Sequence, residues 1–359
     1  MEETLKSGHI ASDGIFTQKC QDFFEKRYDF EKTFLMTSCT SGLELAAVLT
    51  GIKENDEVIL PSYTFVSTAN AFALRGAKLV FCDSESTSPN IDAGKIEELV
   101  TPKTKAVIII HYAGIACDMD KIFELCKKYN LYLIEDAAHA IDSFYKGKPL
   151  GSFGNFATFS FHETKNLTAG EAGLLVVNDS EFIKKAEIMR DKGTNRTAFF
   201  RGEVNKYDWV GLGSSYAPSE ILAAFLYAQT ENTNEIQSKR ISIWEKYYKN
   251  LEVLGKENIL RLPKIPGYAS NNAHIFYFLC NDINQRTDLI KFLKGNGITS
   301  SFHYLALHKS PYYSSTNRGI NLPNAEMFTD CLIRLPMFYD LTFEEADFIC
   351  SKIKEFYLQ

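Results

Sequence analysis

Lys165 stands in the stretch SFHETKNLTAGEAG, residues 160–173, just past an apolar, β-prone run. A lysine amine is a nucleophile toward a carbonyl once its surroundings strip it of water and proton. Asp136, 29 residues earlier, ends the apolar run LYLIED at 131–136. A carboxylate at such a place can hold a cation. Taken singly, a lysine is a solvated surface charge in most proteins, and an aspartate after a strand is a cap or turn residue. A third feature is the small polar turn SCTSG at 38–42, between an apolar run and a segment rich in Leu and Ala. Strand, small-residue turn and helix start make an anion site, because the first helical N–H groups lack partners and the helix dipole favours negative charge. The plain alternative is a Ser/Thr N-cap.

An amine, a carboxylate and an anion-binding turn together match the needs of pyridoxal phosphate (PLP). Its aldehyde forms an imine with lysine, its protonated ring nitrogen pairs with a carboxylate, and its phosphate needs N–H and hydroxyl donors. The ring cation keeps the carboxylate ionised, and the carboxylate keeps the ring protonated, which makes the ring the better electron sink.

The elements that must position these groups follow from apolar periodicity. Phe16, Cys20, Phe23 and Phe24 share one helical face, predicting a helix over 16–28. Strands are expected at 33–38, 56–60, 78–82, 105–111, 131–135 and 155–161. Helices are expected at 43–49, 67–74, 96–100, 120–129 and 181–190. This alternation predicts an α/β fold with a mostly parallel central sheet flanked by helices. In such sheets ligands sit beyond the carboxyl ends of the strands, which points to 38–40, 62–65, 111–112, 136–139 and 160–165. The polar, aromatic stretch 192–216 reads as a long functional or partner-contacting loop. Helices at 218–229 and 236–251, strands at 274–280 and 298–303, a helix at 286–296 and a closing helix at 343–356 complete the chain. The C-terminal part reads as a smaller α+β domain. The expected division is a large domain over 1–235 and a small one over 236–359.

Composition removes several classes. The chain has 359 residues, is 45% hydrophobic and carries a formal net charge of −6 without a basic block. A broad nucleic-acid-binding face is not expected. No run is apolar and long enough for a membrane span, and the first residues, MEETLKSGH, lack a signal-peptide pattern. The eight cysteines form no CxxC pair, so neither structural zinc nor a disulfide scaffold is expected, and a reducing cytoplasm is the expected compartment.

The motifs PSYTFVSTANAF (61–72), HYAGIACDMD (111–120), EDAAHA (135–140) and SFHETKN (160–166) resemble those of the DegT family of PLP-dependent sugar aminotransferases, of fold type I. That resemblance implies Lys165 as the catalytic, imine-forming lysine and Asp136 as the ring-nitrogen partner. It implies His139 beside the ring near its phenolic oxygen and Phe65 stacked on a ring face. Ser160 and the Cys39–Thr40 turn are implied as phosphate binders. Relatives often carry Gly where Cys39 stands, so a backbone donor rather than the thiol is expected there. Relatives also bring an Asn and then an Arg from the second subunit of a homodimer; Ser215 and Ala217 occupy those positions here. Segments 192–196, 199–209 and 213–216 narrow the resemblance to amination at C4 of a dTDP-linked 4-keto-6-deoxyhexose, with glutamate as donor. Amination at C3, or a catalytically inactive binding or regulatory protein on the same scaffold, are the alternatives. A dehydratase of this fold would carry His in place of Lys165. His162 is expected toward solvent. His303, Tyr304 and His308 stand in a segment that resembles one near the sugar site, with packed or surface histidines as the plain alternative. Arg201 and Lys206 could meet a nucleotide diphosphate or simply be solvated.

Overall fold

The computed structural model describes residues 1–315 and 319–358. Its strands are β1 (Lys32–Met36), β2 (Glu57–Pro61), β3 (Lys78–Cys82), β4 (Thr104–Ile110), β5 (Tyr132–Asp136), β6 (Phe144–Tyr145), β7 (Lys148–Pro149), β8 (Phe156–Ser160), β9 (Gly173–Val177), β10 (Phe276–Leu279) and β11 (Leu332–Leu335). Seven of them form one sheet in the order β1-β9-β8-β5-β4-β2-β3. The pairs from β3 through β8 are parallel, while β9 runs antiparallel to both of its neighbours, β8 and β1. The α/β fold with a mostly parallel sheet is the one expected from sequence.

Alternation along each strand supplies both faces of the sheet with apolar side chains. Phe34, Met36, Leu60, Ile108 and Ile134 enter one core, while Leu35, Ile59, Val107, Ile109 and Leu133 enter the other. Side chains of period two on a sheet covered by helices on both faces require this pattern.

A third core lies in the C-terminal part. Ile243, Tyr247 and Leu251 of the helix Thr233–Lys256 meet Leu289, Ile349 and the inner residues of the antiparallel pair β10–β11. Phe276, Phe278, Ile333 and Leu335 face that core, whereas Tyr277, Leu279 and Leu332 join the core of the large sheet.

Several segments differ from the sequence expectation. Residues 298–303 do not form a strand; only Ser301 makes an isolated bridge, to Arg334. The partner of β10 is β11 instead, whose four residues are too few to show a period. The strand β9 shows no alternation of apolar and polar residues, because all five are buried, Leu174 and Val176 in one core and Leu175 and Val177 in the other. Within 192–216 a short helix, Arg196–Phe200, interrupts the loop. Among the described residues no helix is long and apolar enough to cross a membrane.

Candidate active site

The carboxyl ends of β5 and β8 place Asp136 and Ser160 side by side with the start of the helix Cys39–Leu49. All three border a cavity of about 1210 Å³. Cys39, Thr40, Phe65, Asp136, His139, Ser160 and Lys165 all line it, so the residues singled out in the sequence converge on one space.

Lys165 lies on the connection from β8 to β9. That loop is closed by Phe161 N–H donating to the Ala172 carbonyl at 2.8 Å and Glu163 N–H to the Gly170 carbonyl at 2.9 Å. Its own N–H donates to the His162 carbonyl at 2.9 Å. Its Nζ has no hydrogen-bond or ion-pair partner among the described residues. Burial lowers its pKa to about 8, against the opposing pull of Asp136 and with the help of the Arg334 charge. Such an amine is deprotonated in quantity near neutral pH, as a nucleophile or base requires.

Asp136 is buried at 6% exposure. Its Oδ2 accepts from Thr68 Oγ1 at 2.7 Å and its Oδ1 from Ala138 N–H at 3.2 Å. Thr68 Oγ1 is itself 2.9 Å from Thr64 Oγ1, so the carboxylate is oriented from below by a short hydroxyl chain. Burial raises the Asp136 pKa, with the Thr68 and Ala138 hydrogen bonds and the Lys165 charge working the other way. A buried carboxylate pushed upward by desolvation is relieved by a cation brought into contact, which is what a protonated ring nitrogen supplies.

The 38–42 stretch is the helix start itself rather than a turn before it. Ser38 is the N-cap: its side chain accepts from Ser41 N–H at 3.0 Å, and Ser41 Oγ accepts from Ser38 N–H at 3.0 Å, forming a capping box. The N-cap reading and the anion reading are therefore both satisfied. The box occupies the third amide and leaves those of Cys39 and Thr40 without acceptors among the described residues. The Cys39 thiol points away, toward Thr158 Oγ1 at 3.2 Å and Asp136 Oδ1 at 3.9 Å. Burial raises its pKa, so it remains a protonated thiol.

His139 Nδ1 accepts from Ala113 N–H at 3.3 Å, which assigns the ring proton to Nε2, 3.2 Å from Tyr304 Oη. Burial, with the Lys165 charge, keeps the ring neutral. Phe65 is 56% exposed on the described chain and turns its ring to the cavity, 6.1 Å from the Tyr304 ring.

The secondary candidates divide. His303 and Tyr304 line the cavity, whereas His308 is a buried packing residue, held by Ser62 Oγ at 2.7 Å and Glu326 Oε1 at 3.1 Å. His162 is half-exposed at the cavity edge. Arg201 is committed to Glu187 and Glu203, outside the cavity. Lys206, Ser215 and Ala217 are not among its lining.

Sequence reasoning missed Thr68, Asn166, His274 and Arg334. Asn166 Nδ2 donates to Gln237 Oε1 and the Asn272 carbonyl, both at 2.8 Å, so its Oδ1 must accept from His274 Nδ1–H at 2.8 Å. The residue after Lys165 is thus tied to the C-terminal part of the chain. Only Thr68 had a usable signal, its place in the first turn of a helix that follows a strand end.

Comparison with known proteins agrees with this geometry. Residues 1–354 match the model of the DegT/DnrJ/EryC1/StrS aminotransferase family. An uncharacterized protein of Methanocaldococcus jannaschii, MJ1066, is 34% identical over 98% of this chain and 92% of its own length. The aminotransferase TlmJ from Streptoalloteichus hindustanus superposes with a TM-score of 0.91 at 27% identity, covering 99% of this chain and 94% of its own. Spr1654 from Streptococcus pneumoniae, in its PMP form, gives 0.92 at 26% identity, covering 99% and 95%. A PLP form of that protein superposes equally well, with a TM-score of 0.91. An amine of lowered pKa, a buried carboxylate awaiting a cation and a helix start with free amides fit the cofactor those forms hold. The chain belongs to the DegT/DnrJ/EryC1/StrS family of PLP-dependent aminotransferases.

Proposed function

We propose that the protein transfers the amino group of glutamate to C4 of a dTDP-linked 4-keto-6-deoxyhexose, giving dTDP-4-amino-4,6-dideoxygalactose for cell-surface polysaccharides such as lipopolysaccharide and enterobacterial common antigen. The observation that carries the aminotransferase chemistry is the convergence of Lys165 and Asp136 on one cavity of about 1210 Å³. That volume is more than an amino acid alone needs and suits a larger substrate. The S. pneumoniae relative bears a sugar-aminotransferase designation. The dTDP sugar and the C4 position rest on the motifs of 192–216.

Bound PLP supplies an electron sink to the carbon that bears the amine. In this reading Asp136 would hold the ring nitrogen, and the Cys39 and Thr40 amides with the Ser160 hydroxyl would hold the phosphate. Phe65 would cover the ring, and His139 would stand beside it. Lys165 is the covalent anchor. Its Nζ would take the proton from the amine-bearing carbon and return it, a role that an amine titrating at about 8 can fill in both directions. Two successive half-reactions on one site predict ping-pong kinetics.

The working form is a homodimer in the cytoplasm, with the chain divided into lobes 1–235 and 236–359. The separate core beyond Ile243 supports that division. The test is incubation with PLP, glutamate and a panel of dTDP- and UDP-linked 4-keto and 3-keto sugars, with products identified by NMR. Amination at C3 would overturn the regiochemistry, and amination of no sugar would overturn the substrate class.

A further inference from the structure

We infer that Arg334 is the cation that receives the carboxylate of the amino donor. The inference rests on the aminotransferase reading of the cavity but not on which sugar accepts the amine. Arg334 is the register partner of Tyr277 in the β10–β11 pair, and directly opposed residues share a face. Ile333 and Leu335 turn into the small core, while Tyr277 packs on Tyr112 of the large lobe, ring centroids 5.5 Å apart. Arg334 therefore faces the large lobe, where it lines the cavity.

No carboxylate neutralises it among the described residues. Its Nη2 donates to Ser301 Oγ at 3.1 Å and to the Phe302 carbonyl at 3.4 Å. Among the described residues neither its buried Nε–H nor its Nη1 has an acceptor. Arg240, which also lines the cavity, is by contrast held by the carbonyls of Ala273, His274 and Met337. Of the acidic residues of the lining, Glu163, Glu171, Glu235 and Asp340 are exposed and Asp136 is buried, and none of the five pairs with Arg334. A planar guanidinium with donors to spare, inside a cavity, matches a carboxylate.

Position favours the donor's carboxylate over a nucleotide diphosphate. An α-amino acid carries its carboxylate on the same carbon as the amine that must meet Lys165. A sugar nucleotide carries its diphosphate across the ring from C4. Arg334 is the guanidinium whose charge is felt at Lys165.

The experiment is calorimetry on the PLP-loaded protein with two probes, glutarate for the donor side and dTDP for the sugar side. Arg334→Gln should weaken glutarate binding about 10- to 100-fold, the loss of a charge-assisted pair. Arg334→Lys should lie between, with dTDP affinity and the visible absorbance of the bound cofactor unchanged. KM for glutamate should rise in parallel in the donor half-reaction, which needs no sugar, so a wrong sugar assignment leaves this outcome intact. Unchanged glutarate binding, loss of dTDP binding instead, equal loss of both, or no glutarate binding by the unmodified protein each overturn the proposal. If Arg334→Gln does not fold, Arg334→Lys decides by the same comparison.

Discussion

Lys165 and Asp136 are two charges held in ways that their own burial opposes, and each makes a prediction. The neutral Lys165 amine is the nucleophile, and burial brings its pKa to about 8. Capture of PLP by the apoprotein, followed by absorbance after rapid mixing, should speed up with rising pH and level off above an inflection near 8. Removing the nearby positive charge in Arg334→Gln should move that inflection upward, since a neighbouring cation disfavours the ammonium. Lys165→Ala should abolish transamination and the absorbance of the imine while leaving the apoprotein's Tm in place; a fully active variant would sink the mechanism. Asp136 works the other way. Its folded pKa is raised, so its charge costs stability as pH rises through that pKa, and the cost is absent below the ordinary carboxylate range. Asp136→Asn should leave the apoprotein at least as stable in chemical denaturation yet weaken PLP binding. A destabilised apoprotein with normal cofactor affinity would contradict this.

At the scale of elements, the site depends on how closely β9 approaches the helix Cys39–Leu49. Gly173 lies opposite Met36 in the β1–β9 register, and a Cβ there would overlap the backbone of Ser38 and Cys39. Gly173→Ala should displace the amides of that helix start and lower PLP affinity about 10- to 100-fold, measured by fluorescence titration. Behind Asp136, the preceding residue Glu135 points to the other face of the sheet. It accepts from His111 Nε2 at 2.9 Å and from the amides of Gly151, Phe153 and Gly154 at 2.8, 2.8 and 2.7 Å. Burial pushes its pKa up, but the His111 bond and these amides outweigh burial and hold it low. Its contribution to stability is therefore present above the usual carboxylate range and lost as pH falls through its lower folded pKa. Glu135→Gln should destabilise the fold by about 3 kcal/mol at pH 7, with the gap to the unmodified protein closing on acidification. Denaturation midpoints across pH check both the size and the sign.

For the whole molecule, the segment 192–216 carries apolar side chains that the single chain leaves uncovered. Phe200, Trp209 and Leu212 are 72%, 73% and 69% exposed. Exposed apolar groups so concentrated suit an interface between copies, and we propose that the second subunit covers them. Sedimentation should give a mass twice that of the 40.6 kDa chain, and Trp209→Asp should shift it toward one chain. A monomeric unmodified protein would remove the dimer from the proposal.

The chain's own order of residues settled the α/β alternation, because strand and helix periods are local and the strands of the large sheet are long enough to display them. It also singled out Lys165, Asp136, Cys39, Thr40, Phe65, His139 and Ser160, since each lies just beyond a strand end or in a family motif. Locality is also where legibility stopped. β9 and β11, buried throughout or four residues long, show no period. Thr68 matters only because its hydroxyl meets a carboxylate 68 positions away. Arg334 reads as one more surface charge until the pairing of β10 with β11 turns it inward, away from its apolar neighbours Ile333 and Leu335 and toward Lys165. Sequence determined which groups could do chemistry; only the packing of the C-terminal lobe against the sheet decided which of them share one desolvated space, because burial and charge proximity are properties of that space and of no single segment.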